Sequence, residues 1–280
     1  MANNTTINNE LYSNLVTAAQ FAAYENSVAR QMATIFDAPL NSGKVLQVPV
    51  WSAVSAENIT DESVATAADT NTTSATITLT EHVVYHRVTD MLRDSATSNV
   101  LAQLGDQSGR AIAESMDTEF FGKFASLNTK AGTSAYLTST FDVDVIMDTV
   151  AQLRASKLTG PFYCVLHPQA ANILKKSITD SSSYTASSMM ADSILGNYFV
   201  AQVAGCTIIE SSLVPVAAGN VTTAAVIAPS AIGHAMRGSV SLEEQRQAAN
   251  RATDLVLTGV AGAAVLQAGH GLNFTVDIDS

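Results

Sequence analysis

The sequence predicts an α+β protein organised around one long helix, and three observations carry that prediction. Residues 99–125, NVLAQLGDQSGRAIAESMDTEFFGKFA, hold no proline and repeat apolar side chains at spacings of three, four and seven, the period of one helix face. Two strand-like runs, 44–51 and 76–88, flank a proline-free stretch of small polar residues. Short helical and strand-like runs then alternate over 140–235, and β-like segments close the chain.

In chain order, residues 1–41 read as an asparagine-rich arm followed by a helix from Glu10 to Phe36, marked by Leu11, Leu15, Ala18, Ala22, Val28, Met32, Ile35 and Phe36. Pro39 and the NSG at 41–43 end it. Residues 42–87 form an extended β-hairpin, KVLQVPVW and TITLTEHVVYHRV, around the soft tip 52–75. A two-stranded hairpin is marginal in water, so this one needs a partner surface.

Residues 88–140 carry the long helix. It is expected to bury Leu101, Leu104, Ala111, Ile112, Met116, Phe120 and Phe124, and to expose Gln103, Asp106, Gln107, Arg110, Glu114 and Asp117. At about 1.5 Å per residue it makes a rod of roughly 40 Å, more than twice the usual length. Such a rod requires a sheet, or another copy of the chain, alongside it.

From 141 to 250 the pattern gives a helix capped by Asp142 or Asp144, with Val145, Val150, Leu153 and Leu158 on its inner face. A buried strand in GPFYCVLHP, a short helix in QAANILKKSI, a serine-rich loop and the helical or mixed stretch MADSILGNYFVAQVAG follow. Next come strands in CTIIESSLVP and VTTAAVIAP, a helical turn in SAIGHAM and a β-like GSVSLEEQRQ. Residues 251–280 are β-like, with glycines expected to interrupt the ladder.

Only 14% of the residues are charged, well below the usual quarter, which suggests a surface covered by other subunits. The net charge of -11 argues against a protein that grips nucleic acid by neutralising phosphates, although not against one that encloses it. No apolar run is long enough to span a membrane. The N-terminal MANNTTINNELYS has no basic region followed by an apolar one, so it does not read as a signal peptide. Cys164 and Cys206 sit in apolar runs and read as core thiols.

No constellation for chemistry emerges. His82 and His86 share one face of a strand while Glu81 points the other way, so cross-strand packing is the better reading than metal binding. Asp142, Asp144 and Asp148 lack the glycine and closing glutamate of a calcium loop. GVAGAAVLQAGHG is not in strand–GxGxxG–helix order and reads as a bulge or turn. There is no GxSxG elbow, and His167 has no candidate nucleophile in sequence reach. Neither catalysis nor a cofactor is expected.

Charge is unevenly spread. Between Lys44 and Arg87 there is no lysine or arginine, whereas Glu57, Asp61, Glu62, Asp69 and Glu81 are acidic. The long helix and its flanks carry Arg87, Arg93, Arg110, Lys123 and Lys130. The expectation is that the acidic arm of one subunit lies near the basic segment of the next, with Lys44 and Trp51 as further contact candidates towards the arm base. Rim pairs of this kind set register more than affinity.

This order of parts resembles the major capsid protein of tailed bacteriophages, the Hong Kong ninety-seven type of coat protein. FYCVLHPQAANIL (162–174), VAGCTIIESSLVP (203–215), AAVIAPSAIGHAMRGSVSLE (224–243) and DLVLTGVAGAAVLQAGHGLNFTV (254–276) are similar, in the right order, to stretches of that family. The resemblance implies an N-terminal arm (1–41), an extended loop (42–87), a peripheral domain with a spine helix (88–140), an axial domain (141–250) and a return to the peripheral domain (251–280). It implies a subunit that self-assembles into hexamers and pentamers of an icosahedral virion capsid. Such a shell encloses double-stranded DNA without sequence-specific binding, works with a portal protein and is assembled in the host bacterial cytoplasm. The chain lacks the long charged helical N-terminal extension of some relatives, so scaffolding is expected from a separate protein. The loop tip holds no lysine, so the shell is expected to be non-covalent. The competing readings are an encapsulin-type nanocompartment shell and an unrelated α+β oligomeric enzyme or binding module.

Overall fold

The computed structural model describes residues 15–23, 27–40, 43–51, 54, 56–59, 61, 64, 66–67, 72–95, 98–180 and 202–279. The spine is α4, Ser98–Gly122, extended by a 3-10 turn at Lys123–Ser126. It lies across two sheets, which answers the demand that so long a rod be covered.

The N-terminal segment is α1 (residues 15–23), α2 (Ala29–Met32) and then a strand, β1 (Thr34–Asp37). The single helix expected to run to Phe36 therefore ends early. Ile35 and Phe36 instead pair in parallel with His234 and Ala235. The spacing of Ile35 and Phe36 suits either element, and only the distant partner decides.

The arm is β2 (Val45–Trp51) paired antiparallel with β3 (Thr72–Thr78), from Val45↔Thr78 at the base to Trp51↔Thr72 at the far end. After Leu79 the chain continues as β4 (Thr80–Thr89) and the short α3 (Asp90–Ser95). Ile77 and Leu79 are buried with Ala38 and Ala235, and Leu46 and Val48 pack on them. The base of the arm is thus held by the body, and the described residues between Trp51 and Thr72 are exposed.

β4 belongs to a five-stranded sheet in the order β1-β12-β14-β13, with β4 on the other edge of β14. The members are β12 (Ile232–Met236), β13 (Ser241–Gln247) and β14 (Ala252–Val265). SAIGHAM is therefore strand, not a helical turn: four of the five β12 residues are buried, and its antiparallel ladder with β14 pairs its backbone. Nor do the glycines of β14 interrupt it. A Cβ on Gly262 would lie 2.1 Å from the Thr78 carbonyl oxygen, so this glycine is where the arm crosses the strand.

The second, eight-stranded sheet runs β5-β15-β11-β7-β9-β8, with β10 on β11 and β6 on β15. Its strands are β5 (Asn128–Thr129), β6 (Ala135–Tyr136), β7 (Phe162–Leu166), β8 (Gln202–Val203), β9 (Cys206–Glu210), β10 (Val216–Ala217), β11 (Val221–Ile227) and β15 (Gly271–Asp277). One face is covered by α5 (Val143–Ala155) and α6 (Pro168–Asp180). There Cys164, Leu166, Ala224, Val226, Phe274 and Val276 meet Ile146, Val150, Leu153 and Leu174. The other face, with Val165, Ala225 and Ile227, meets Phe120, Phe121 and Phe124 at the end of the spine. Burial on both faces explains why β7 reads FYCVL without alternation. Asp142 caps α5, accepting from the Val145 N–H at 3.3 Å, and both cysteines are buried and unpaired as thiols.

β12 and β13, within 141–250, pair with β14, within 251–280, while β15, also within 251–280, lies in the eight-stranded sheet.

Candidate inter-subunit surfaces and the joints that position them

The spine is joined to its surroundings by polar contacts, one of them on the face expected to be solvated. Asp117 was placed on that face, yet it is 1% exposed. Its carboxylate accepts from the Ser27 hydroxyl and the Val28 N–H, both at 2.7 Å, and so ties the N-terminal arm down at the start of α2. Burial raises its pKa, against the lowering effect of these bonds. Ala111, expected in the apolar stripe, is exposed. The stripe is rotated because a second element, α1, occupies the flank of the spine. A Cβ on Gly105 or Gly109 would lie 2.5 Å from Leu15 O or 2.3 Å from Ala19 O. Glycines four apart present bare backbone on one helix face, and α1 lies directly on it.

His82 and His86 do not pack across strands; both reach the spine. His82 Nδ1 is 2.7 Å from Ser115 Oγ, and its Nε2 is 3.5 Å from Glu119. Ser108 donates to the Leu104 carbonyl at 2.6 Å, so His86 Nε2 donates to Ser108 Oγ at 2.8 Å. Burial opposes ionisation of Glu119, but hydrogen bonds from His82 and Thr80 outweigh it and hold the carboxyl below its ordinary value. At the far end, Asn273 donates to the Phe124 and Leu127 carbonyls at 2.9 and 3.2 Å. It thereby closes the spine onto β15.

The expected contact residues fall into three groups. Lys44, Trp51, Glu57 and Asp61 are exposed on the arm; Trp51, 65% exposed, stands at the far end of the ladder, not at its base. Glu62 and Asp69 lie outside the described residues, as does the side chain of Arg93 in α3. Arg87 and Arg110 have partners within the chain. Arg87 holds Asp254 with two bonds, at 2.7 and 3.1 Å, and Arg110 pairs with Asp106 at 3.1 Å. Lys123 and Lys130 stand 3.8 Å from Glu119 and 3.9 Å from Asp148.

Sequence reading missed Asp90, Arg246, Arg251 and Asp254, which the strand register gathers at one end of the five-stranded sheet. Arg246 grips Asp90 at 2.7 and 2.8 Å. Their positions in the chain, more than 150 apart, carried no signal. Among the described residues no group of three or more His, Cys, Asp or Glu could hold a metal. Among those residues no helix is long and apolar enough to cross a membrane.

An arm whose described outer residues are exposed, a spine spanning two sheets and a helix-covered eight-stranded sheet fit a shell-forming structural subunit, and comparison with known proteins gives that class. The family model for phage capsid proteins matches residues 72–273, and the chain belongs to that family. Its fold is that of the Hong Kong ninety-seven type coat proteins of tailed phages. The capsid protein of cyanophage P-SCSP1u is similar at 16% identity and TM-score 0.66, over 87% of this chain and 86% of that one. The mature capsid protein of bacteriophage PhiM1 is similar at 14% identity and TM-score 0.67, over 90% and 87%. Mycobacterium phage Che8 gives 16% identity and TM-score 0.64, over 85% of each chain. No curated protein matches the chain by sequence.

Proposed function

We propose that this subunit self-assembles into hexamers and pentamers that tile the icosahedral head of a tailed phage and enclose its double-stranded DNA. The observation that carries the reading is the arm. Beyond its anchored base it exposes Trp51, Val54, Ile59 and Val64, side chains that a neighbouring subunit would cover. An acidic wall suits a container, since it does not trap the polyanion it must receive. The chain acts as structure without catalysis, assembles in the host bacterial cytoplasm with a separate scaffolding protein, and meets a portal protein at one vertex. Electron microscopy of purified full-length protein tests this: closed icosahedral particles are expected. Monomers or dimers that persist at every concentration, with and without a co-expressed scaffold, would refute it.

A further inference from the structure

We propose that Ser115 on the spine is a modification site, a nucleophilic hydroxyl set up by His82 and Glu119 to take an acyl group from an activated ester or thioester. The inference goes beyond the shell reading and does not depend on it. Ser115 and Glu119 stand about one turn apart on α4, and β4 lays His82 against both. Ser115 Oγ is 2.7 Å from His82 Nδ1, and Glu119 Oε2 is 3.5 Å from His82 Nε2. Thr80 decides the tautomer. Its hydroxyl hydrogen goes to Glu119 at 2.8 Å, with the Ala261 carbonyl at 3.2 Å as the other acceptor in reach. Its oxygen, 3.3 Å from His82 Nε2, is therefore the acceptor there. Nε2 then carries the ring proton, Nδ1 is bare, and Ser115 donates to it. Nucleophile, base and orienting carboxylate are thus in sequence. The His82 and Glu119 side chains are 10% and 24% exposed, whereas Ser115 faces solvent.

Two other serine–histidine pairs show what sets this one apart. Ser108 spends its hydrogen on the Leu104 carbonyl, so His86 is its donor and not its base, and Ser108 is 1% exposed. Ser230 is exposed and lies 2.7 Å from His270 Nδ1, but among the described residues no carboxylate pairs with His270. Of the three, Ser115 combines an exposed hydroxyl, a bare ring nitrogen and a carboxylate behind the ring. Glu119, held below its ordinary value, is ionised at neutral pH and stabilises the imidazolium that forms. In the step, Ser115 Oγ bonds to the acyl carbon while its proton passes to His82 Nδ1. The bond from that carbon to the leaving alcohol or thiol then breaks, and the leaving group takes the proton from the ring; nothing is oxidised or reduced. General-base assistance of this kind is worth about 10²–10⁴-fold. Ser115 lies inside a helix, whose N–H groups are spent on carbonyls one turn back, so no pair of backbone donors awaits an oxyanion. The serine ester is a poorer electrophile than the donor and persists, so the outcome is one modification per subunit, not turnover. The adjoining cleft, walled in part by Thr78, Thr80, Glu119, Lys123 and Ser126, is hydroxyl-rich and suits a short polar acyl group.

The test treats the full-length chain with p-nitrophenyl acetate at neutral pH and locates the acetyl groups by peptide mass spectrometry. Ser230 is the reference within the same molecule. Ser115 should be acetylated at least about tenfold faster than Ser230, and Ser108 should stay unmodified. His82→Asn keeps a polar group near the Nδ1 position but takes up no proton, and it should bring Ser115 down to the Ser230 rate. Glu119→Gln removes the charge behind the ring and should slow Ser115 by a smaller factor. Ser108 reports folding in every variant, because it is reached only when the spine opens. Should His82→Asn expose Ser108, the wild-type ratio and Glu119→Gln still decide. Ser115 no faster than Ser230 in the wild-type chain, or an unchanged Ser115 rate in either folded variant, would overturn the proposal.

Discussion

Gly109→Ala sets two effects of opposite sign against each other. In a helix interior free of neighbours, alanine is better than glycine by about 1 kcal/mol. At position 109 the new methyl would sit 2.3 Å from the Ala19 carbonyl oxygen and 2.9 Å from its Cα. Both are backbone atoms, so no side chain can swing away. Over-packing of this kind costs about 1–3 kcal/mol, and the alternative, displacement of α1, forfeits the burial of Leu15 and Ala19, both 0% exposed. A fully buried leucine side chain alone is worth about 1.5–3 kcal/mol. The net expectation is a loss of about 1–2 kcal/mol, read as a lower urea midpoint of unassembled subunits and as faster hydrogen exchange across residues 15–23. Gly122→Ala is the control in the same helix, because its Cβ would meet nothing within 4 Å; it should be neutral or stabilising. Equal behaviour of the two variants would show that α1 does not rest on the bare spine backbone.

His234 is 1% exposed with no hydrogen-bond partner at either ring nitrogen, and burial pushes its pKa down to about 4, with Arg30 adding to the effect. Between that value and about 6.5 the unfolded chain binds the proton and the folded one does not. Stability should therefore fall by about 3 kcal/mol as pH drops through this window; denaturant titrations at pH 7 and pH 4 should show a smaller fall in His234→Phe. Arg87 holds the Asp254 carboxyl below its ordinary value, so its contribution is present above about pH 4 and disappears in stronger acid; Asp254→Asn should flatten the acid limb of the same titration. Trp51 is the sole tryptophan, so assembly should shift its emission to the blue as the arm is covered, and unchanged emission in complete particles would argue against docking. Particles boiled in detergent should run as one band, because Lys44 is the lysine nearest the arm tip and sits at its base; a ladder of multimers would show covalent linkage.

Much of the architecture was legible in local pattern. The spine was read as 99–125 and is helical from Ser98 to Gly122, continuing as a 3-10 turn. The hairpin strands, the Asp142 cap and the strands β7, β9 and β11 also fell where period and composition put them. What failed was local pattern with a distant arbiter: Ile35 and Phe36 continued a helical spacing but pair with β12. The candidate site was less legible still, since Glu57 and Asp61 declared themselves by composition while the arginines that face outward did not.

The sequence by itself determined most of the elements and the uneven charge, because each depends on side chains close together in the chain. Tertiary structure alone decided which charges are answered by distant partners. That Arg87 is taken up by Asp254 and that Asp117 is buried against Ser27 and Val28 follow from strand register and helix contact between distant segments, whereas Arg110 meets Asp106 four residues away on its own helix. Electrostatic complementarity is a property of neighbours in space, and for this long, arm-bearing subunit the decisive neighbours lie at opposite ends of the chain.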